Sequence, residues 1–218
     1  SARSAGRMAN IYLKATGQSK YVQTEIFLTT KMNYILLIID MLEDFFERSS
    51  ALAGQRARLV GRINELSRAF REHRQPVIWV RQEFRSDLQD AFLEMRRLKI
   101  QINISGTKGA EILADLEQSA TDVTIVKKRY SAFFGTELEE ALTKFHPFTL
   151  VVAGINTHAC IRTTVIDAYQ RDQEVIVAED CVASHDQEHH LVTVKYLDGK
   201  MARFLGNDSI IALLASGP

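Results

Sequence analysis

The stretch Thr149-Leu-Val-Val-Ala-Gly-Ile-Asn-Thr-His-Ala-Cys160 joins an apolar run to a glycine and a cysteine. Residues 149–153 predict a buried strand, Gly154 predicts the turn that ends it, and residues 160–171 predict a helix. A thiol in the first turn of that helix lies at the positive end of the helix dipole, which favours its ionised form. This edge of an open α/β sheet is also where ligands bind. Cys160 is therefore a candidate nucleophile, and the alternative is a small apolar residue that simply packs.

Strand and helix patterns alternate outward from this stretch. Residues 34–39, 76–80, 122–126 and 174–178 predict further strands, and residues 209–213 predict a last, short one. Helical patterns cover residues 54–73, 109–118, 136–145 and 184–196, the last two opening on capping boxes at Thr136–Glu139 and Ser184–Gln187. Residues 81–107 predict loop with a short helix. The fold class is α/β: a three-layer, doubly wound, Rossmann-like and mostly parallel sheet of about six strands, with helices on both faces.

The amino-acid composition indicates which binding partners and which cellular compartment suit this chain. The 218 residues hold 27 basic and 27 acidic side chains, so net charge favours neither nucleic acid nor an anionic membrane surface as a partner. No apolar run reaches the length of a bilayer span. Two cysteines, Cys160 and Cys181, are too few to staple a domain of this size, which favours a reducing compartment and a cytoplasmic location.

The first 32 residues differ from the rest of the chain. They are basic and poor in acids and show no clear period, so we expect an N-terminal extension over residues 1–32 and one domain over residues 33–214. The extension is expected to be disordered or left over from cloning, with Met8 or Met32 as a natural start. A transit peptide is the alternative, although no strong amphipathic face supports it.

Three predicted strands end in polar groups that complement one another. Asp40 follows the first strand, Lys127 ends the third, and Cys160 follows the fourth. The carboxyl ends of parallel strands share one edge of the sheet, so the three groups are expected to converge on one pocket. Asp40 would accept the thiol proton, Lys127 would stabilise both negative charges, and N–H groups at the helix start, including that of Cys160, would hold an oxyanion. This chemistry is acyl transfer through a thioester.

Three ordered motifs resemble the isochorismatase-like cysteine hydrolase superfamily: Asp40-Met-Leu-Glu-Asp-Phe45, Lys127-Lys-Arg-Tyr-Ser-Ala-Phe133 and Gly154-Ile-Asn-Thr-His-Ala-Cys160. The resemblance covers about residues 33–214. It implies an Asp40–Lys127–Cys160 triad and a non-proline cis peptide at Ile155–Asn156. That bond would direct the Asn156 N–H, together with the Cys160 N–H, at the oxyanion. The resemblance also implies a homo-oligomer, a dimer or a tetramer, and a small-molecule substrate.

The sequence departs from the metal-dependent nicotinamidases of this superfamily. They carry an Asp-x-His element and a further histidine after the second strand, whereas Arg81-Gln-Glu-Phe-Arg-Ser-Asp87 contains no histidine. We therefore expect no metal and no cofactor. The presence of Cys160 favours cleavage of a small amide or ureide C–N bond. The alternatives are ether hydrolysis of the isochorismatase type, which does not need the thiol, and a non-catalytic binding protein.

Several residues near the motifs are candidates for the substrate pocket, each with ordinary packing or pairing as the alternative: Phe45, Tyr130, Phe133, His158 and Arg162. The segment His185-Asp-Gln-Glu-His189-His190 also suggests a metal site, because His185 and His189 share a helix face. Helix capping and surface exposure explain these histidines as well, and we favour that interpretation.

Overall fold

The computed structural model describes residues 33–216, so the predicted N-terminal extension lies outside the described residues. A single sheet of six strands, all parallel, runs through this part of the chain in the order β3-β2-β1-β4-β5-β6. The strands are β1 (Asn33–Ile39), β2 (Val77–Gln82), β3 (Val123–Lys127), β4 (Phe148–Ile155), β5 (Glu174–Ala183) and β6 (Arg203–Leu205). The predicted doubly wound α/β fold is confirmed.

Helices cover both faces of the sheet. They are α1 (Glu43–Glu47), α2 (Ser50–Ala53), α3 (Arg56–Glu72), α4 (Leu93–Leu98), α5 (Leu138–Thr143), α6 (Arg162–Tyr169), α7 (Gln187–Leu197) and α8 (Asn207–Ser216). Short 3-10 and π segments occupy Lys108–Ala110 and Thr157–Ile161. None of the helices within residues 33–216 is long and apolar enough to cross a bilayer.

The central strand β1 explains why the sheet needs two helical layers. Leu36 and Ile38 pack into one core with α3 and α8, whereas Ile35, Leu37 and Ile39 pack into a second core with α5 and α6. Side chains alternate between the faces of a strand, so an unbroken apolar run requires cover on both sides. The apolar runs of β1 and β4 place these strands at the centre of the sheet.

Residues 109–118 are not the helix that their pattern predicts. Beyond Lys108–Ala110, the chain runs antiparallel to the segment after β1, and Leu113 N donates to Met41 O over 2.9 Å. Asn64 on α3 binds the backbone at Asp115 and Glu117. These tertiary hydrogen bonds satisfy the backbone groups that a helix would have paired internally.

Residues 209–213 were expected to form a strand, and that prediction is wrong. They belong to α8, where Ile210 and Leu214, one helical turn apart, are both buried. The last strand is β6, Arg203–Leu205. The apolar run over residues 210–215 matches either element, and here the one-turn spacing of the buried pair decides in favour of the helix.

The two predicted capping boxes lie near helix starts but do not form as predicted. The Thr136 hydroxyl accepts from Leu138 N, and α5 ends at Thr143 rather than at Phe145. At α7 the cap is Asp186, whose carboxylate accepts from His189 N over 2.8 Å. Ser184 instead accepts from Asp186 N. In both segments the hydroxyl binds a backbone N–H two residues on, which is a common alternative for these side chains.

Candidate active site

Asp40, Lys127 and Cys160 meet at the carboxyl edge of the sheet. Lys127 Nζ lies 2.7 Å from Asp40 Oδ2 and 3.4 Å from Cys160 Sγ, and it also donates to Arg129 O over 3.0 Å. Asp40 and Lys127 are fully buried, and Cys160 is 4% exposed. A buried ammonium and carboxylate are stable only as a closely paired set, because each loses its hydration shell. The structure therefore brings together the three groups that the sequence placed at separate strand ends.

The backbone around Asp40 fixes its carboxylate. Asp40 follows β1 with φ of 58°, in the left-handed region that few residues other than glycine adopt, and such a conformation costs about 1–3 kcal/mol. Its N–H donates to Val80 O on β2 over 2.8 Å, and its Oδ1 accepts from Gln82 N over 2.9 Å. One carboxylate oxygen is thus held by β2 while the other faces Lys127.

The surroundings of the thiol keep it protonated at rest. Burial, followed by the Asp40 carboxylate, raises the pKa of Cys160 to about 12, and Lys127 opposes this rise. Burial alone would lower the pKa of Lys127, but its interactions with the Asp40 carboxylate and with Cys160 together outweigh burial, so the pKa is raised. The resting site is therefore an ammonium–carboxylate pair beside a neutral thiol. Ionisation of the thiol requires its proton to move to a neighbouring base, and Asp40 is the carboxylate that acts on it across the site.

A tight turn after β4 delivers Cys160 to the site. Gly154 pairs with Ile39 of β1 at φ of 110°, and a Cβ there would collide with the Ile39 backbone, so only glycine fits. The peptide bond between Ile155 and Asn156 is cis. Cys160 lies in the π-helical turn Thr157–Ile161 that leads into α6, rather than in the first turn of an α-helix as the pattern predicted.

A hydroxyl on α6 ties this turn to the segment after β3. Thr164 Oγ1 donates to Cys160 O over 2.7 Å and accepts from Ala132 N over 3.0 Å, and Thr164 is fully buried. Thr164 therefore ties the turn that contains Cys160 to the segment that follows Lys127. This role was not predicted from the sequence, and neither were those of the Arg129 carbonyl and the Gln82 N–H. The position of Thr164 one turn after Cys160 is the signal that was available.

An open cavity lies beside Asn156. Its volume is about 500 Å³. The segment after β1 contributes most of its lining, with the apolar, hydroxyl and charged side chains of residues 45 and 48–52. The rest of the lining comes from Ile102, Asn156 and His185. Phe45, one of the candidates for the substrate pocket, lines this cavity. Asn156, the residue after the cis bond, thus faces a space large enough for a small molecule.

The remaining pocket candidates lie in different places. Tyr130 is 49% exposed and packs against Phe92 with ring centroids 4.7 Å apart; burial and the nearby Cys160 raise its pKa. Phe133 is buried in the core with the Arg171 guanidinium on its ring, as core packing predicts. Arg162 stacks on Tyr196 at 5.0 Å from its centroid. Tyr130 thus presents an open aromatic face, whereas Phe133 and Arg162 already have partners.

Histidines cluster next to Asn156. His158 Nδ1 lies 2.6 Å from Ser184 Oγ, and its ring centroid is 4.9 Å from that of His185 and 5.5 Å from that of His189. Burial and the two neighbouring histidines lower the pKa of His158. His189 pairs with Asp186, which caps α7.

Two further histidine contacts fix the turn. His185 donates from its backbone N to Asn156 Oδ1 over 3.0 Å, with Nδ1 3.1 Å from the same oxygen. His190 Nδ1 lies 3.0 Å from Thr157 Oγ1, and burial lowers its pKa. Within residues 33–216, no group of three or more His, Cys, Asp or Glu side chains is arranged to hold a metal ion. These histidines support the turn around Asn156 through hydrogen bonds.

Known proteins share this sequence pattern and fold. Residues 34–209 match the model of the isochorismatase domain. An Arabidopsis thaliana protein named "Probable inactive nicotinamidase" is 35% identical over 175 residues, which cover 77% of this chain and 88% of that protein.

Solved structures agree with the sequence match. An isochorismatase family protein from Desulfovibrio vulgaris superposes with a TM-score of 0.75 at 28% identity, covering 84% of this chain and 99% of that one. The N-carbamoylsarcosine amidase from Thermoplasma acidophilum gives a TM-score of 0.70 at 26% identity, covering 81% and 98% of the two chains. With most of its length matched by the family model, the chain belongs to the isochorismatase family of hydrolases.

Proposed function

We propose that this hydrolase cleaves a small amide or ureide C–N bond through a thioester on Cys160. The observation that carries the proposal is the contact of Lys127 Nζ with both Asp40 Oδ2 and Cys160 Sγ inside a buried site. A nucleophile, a base and a cation in mutual contact are the parts that acyl transfer requires. Similarity to an N-carbamoylsarcosine amidase supports the C–N bond as the target.

The first half-reaction forms the thioester. Asp40 takes the thiol proton while Sγ attacks the substrate carbonyl carbon, and Lys127 stabilises the thiolate as it develops. The carbonyl oxygen becomes an oxyanion, for which we assign the N–H groups of Asn156 and Cys160 as donors. The intermediate then expels the nitrogen, which leaves as ammonia or an amine with the proton that Asp40 had taken.

The second half-reaction releases the acid. Asp40, again a carboxylate, removes a proton from water, and the resulting hydroxide attacks the thioester carbon. The tetrahedral intermediate collapses to an acid and a thiolate, and Asp40 returns its proton to Sγ. Each turnover consumes one water, and the residues return to their starting protonation states. No step needs a metal or a cofactor.

Ammonia release from a panel of small primary amides and ureides tests the proposal. We expect turnover by the parent protein and a loss of at least about 10³-fold in kcat/KM for Cys160→Ala. Cys181→Ala is the matched control, because Cys181 is the other free and buried cysteine. Its thiol donates to Asn207 Oδ1 and has no other hydrogen-bond partner among the described residues. Equal activity of Cys160→Ala and the parent protein would exclude thioester catalysis.

Ether hydrolysis of the isochorismatase type is the second candidate. The high pKa of Cys160 favours it, because a thiol that stays neutral leaves Asp40 as the group that transfers protons. In that case Cys160→Ala would keep activity on a vinyl ether substrate, whereas Asp40→Asn would abolish it. Binding without turnover of any substrate class would instead indicate a non-catalytic binding protein.

A further inference from the structure

We propose that the substrate carries a carboxylate remote from the scissile bond, and that Arg48 binds it in the cavity beside Asn156. This inference rests on the proposed function and names its substrate class: small amides or ureides of a carboxylic acid. The observation behind it is the composition of the cavity lining, which the proposed chemistry does not use.

The cavity offers one cation and no carboxylate. Its polar lining consists of Arg48, Ser49, Ser50, Asn156 and His185, and no Asp or Glu of the described residues lines it. Asn156, the proposed oxyanion donor, is one of these lining residues. A substrate whose carbonyl is bound by the Asn156 N–H therefore has space to extend towards Arg48. A carboxylate there would pair with a guanidinium whose own acidic partner, Asp44, is not part of the lining.

Arg48 is held in place before any ligand binds. Its Nη2 donates to Gln101 O over 2.5 Å, and its Nε lies 3.4 Å from Asp44 Oδ1. Asp44 binds Arg48 through Oδ1 alone, because its other oxygen accepts from Asn103 N over 2.6 Å. The third guanidinium nitrogen, Nη1, has no hydrogen-bond partner among the described residues. Because the guanidinium is already held and Nη1 can still donate, Arg48 loses little side-chain conformational entropy when it binds an anion.

The other walls fit a short hydrocarbon linker. Phe45, Leu52 and Ile102 contribute apolar surface, and the hydroxyls of Ser49 and Ser50 lie next to Arg48 in sequence. The cavity therefore has an apolar middle, with an amide-binding group at one end and a cation at the other. This arrangement matches an acid such as succinamic or glutaramic acid. A neutral amide of the same length would leave the guanidinium without an anionic partner.

Matched substrate pairs test the inference. Ammonia release is measured for succinamic and glutaramic acids and for their methyl esters, which keep the amide and remove the charge. We expect the acids to exceed the esters in kcat/KM by about tenfold, because a charge-assisted hydrogen bond at a partly exposed site contributes roughly that factor. Arg48→Gln should abolish this preference by slowing the acids, and Arg48→Lys should restore part of it.

Arg97→Gln is the control, because the Arg97 side chain is exposed on α4 and makes no hydrogen bond or ion pair within residues 33–216. It should leave the preference unchanged. Equal rates for acid and ester in the parent protein, or an Arg48→Gln variant that slows both equally, would overturn the inference.

Binding measurements separate this inference from the proposed chemistry. Calorimetric titration of the Cys160→Ala variant with the same acids and esters reports charge selection without turnover. Tighter binding of the acids that disappears in Cys160→Ala/Arg48→Gln supports the inference even if no amide is hydrolysed, a result that would refute the proposed function alone. Turnover of the esters at the same rate as the acids, without charge selection in binding, would refute the inference alone.

Discussion

Asp40 and Lys127 act on the thiol in opposite directions. The carboxylate raises the pKa of Cys160 and the ammonium lowers it, with burial as the largest cause of the net rise. The thiol is therefore inert until a substrate and a proton acceptor are in place, although it lies beside a cation. At the scale of single residues, the proposed mechanism depends on this balance.

The balance predicts opposite shifts in two variants. Asp40→Asn removes the negative neighbour and leaves Lys127 to stabilise the thiolate, so the pKa of Cys160 should fall by about two or more. Lys127→Met should raise it, because the carboxylate then acts unopposed. Thiolate absorbance at 240 nm against pH measures both, in a Cys181→Ala background because Cys181 also has a pKa of about 12. An unchanged midpoint in Asp40→Asn would show that the carboxylate does not act on the thiol.

The meeting of these three side chains was predictable from sequence, because each of them closes a strand pattern. Asp40, Lys127 and Cys160 all follow or end apolar runs, and parallel strands bring such ends together. The residues that position them were not predictable. Gln82 holds Asp40 through its backbone N–H and Thr164 holds the turn through its hydroxyl, and neither interaction depends on a recognisable motif.

Among the structural elements, the connection from β4 to α6 determines where the nucleophile lies. Gly154 packs its backbone against Ile39, and the π-helical turn then places Cys160 against Lys127. The strand and glycine were evident in sequence, but the π turn was not, because no local pattern distinguishes it from the first turn of an α-helix. Tertiary contacts explain the helix wrongly predicted over residues 109–118, whose backbone binds Met41 and Asn64 instead.

Gly154→Ala tests the role of this connection. The new methyl group would collide with the Ile39 backbone at a φ of 110°, so we expect a loss of about 3 kcal/mol or more in unfolding free energy. Activity of the folded fraction should fall as well, because Asn156 moves with the turn. Urea denaturation and ammonia release measure the two effects.

Gly61→Ala is the matched control for that substitution. Gly61 lies exposed within α3, and nothing approaches the position of its missing Cβ. The same chemical change should therefore stabilise the protein by about 0.5–1 kcal/mol, because alanine is a better helix former than glycine. Destabilisation at both positions, or at neither, would contradict the account of Gly154.

The whole molecule is a sheet buried on both faces, with its chemistry at one edge. Unbroken apolar runs predicted the two cores, because β1 and β4 are apolar at nearly every position. The cavity could not be predicted, because Phe45 comes from α1 and Ile102 and His185 from two loops, whose relative placement no local pattern encodes. Sequence patterns thus predict the framework and the meeting of the three polar groups, whereas the shape of the cavity depends on how these segments pack.

Assembly is a further prediction at this scale. The family resemblance leads us to expect a dimer or a tetramer, and Leu191, Val192 and Tyr196 on α7 expose apolar surface that a second copy would bury. Light scattering should give a mass of two or four chains, and Leu191→Lys/Val192→Lys should lower it. A monomeric parent protein would contradict the expectation.

Intact-protein mass spectrometry after rapid acid quench tests the central claim most directly. During turnover of a small amide, the parent protein and Cys181→Ala should both gain the mass of the acyl group on Cys160, and Cys160→Ala should gain nothing. Ammonia release without a mass increase in the parent protein, or an identical increase in Cys160→Ala, would show that catalysis does not pass through a thioester on Cys160.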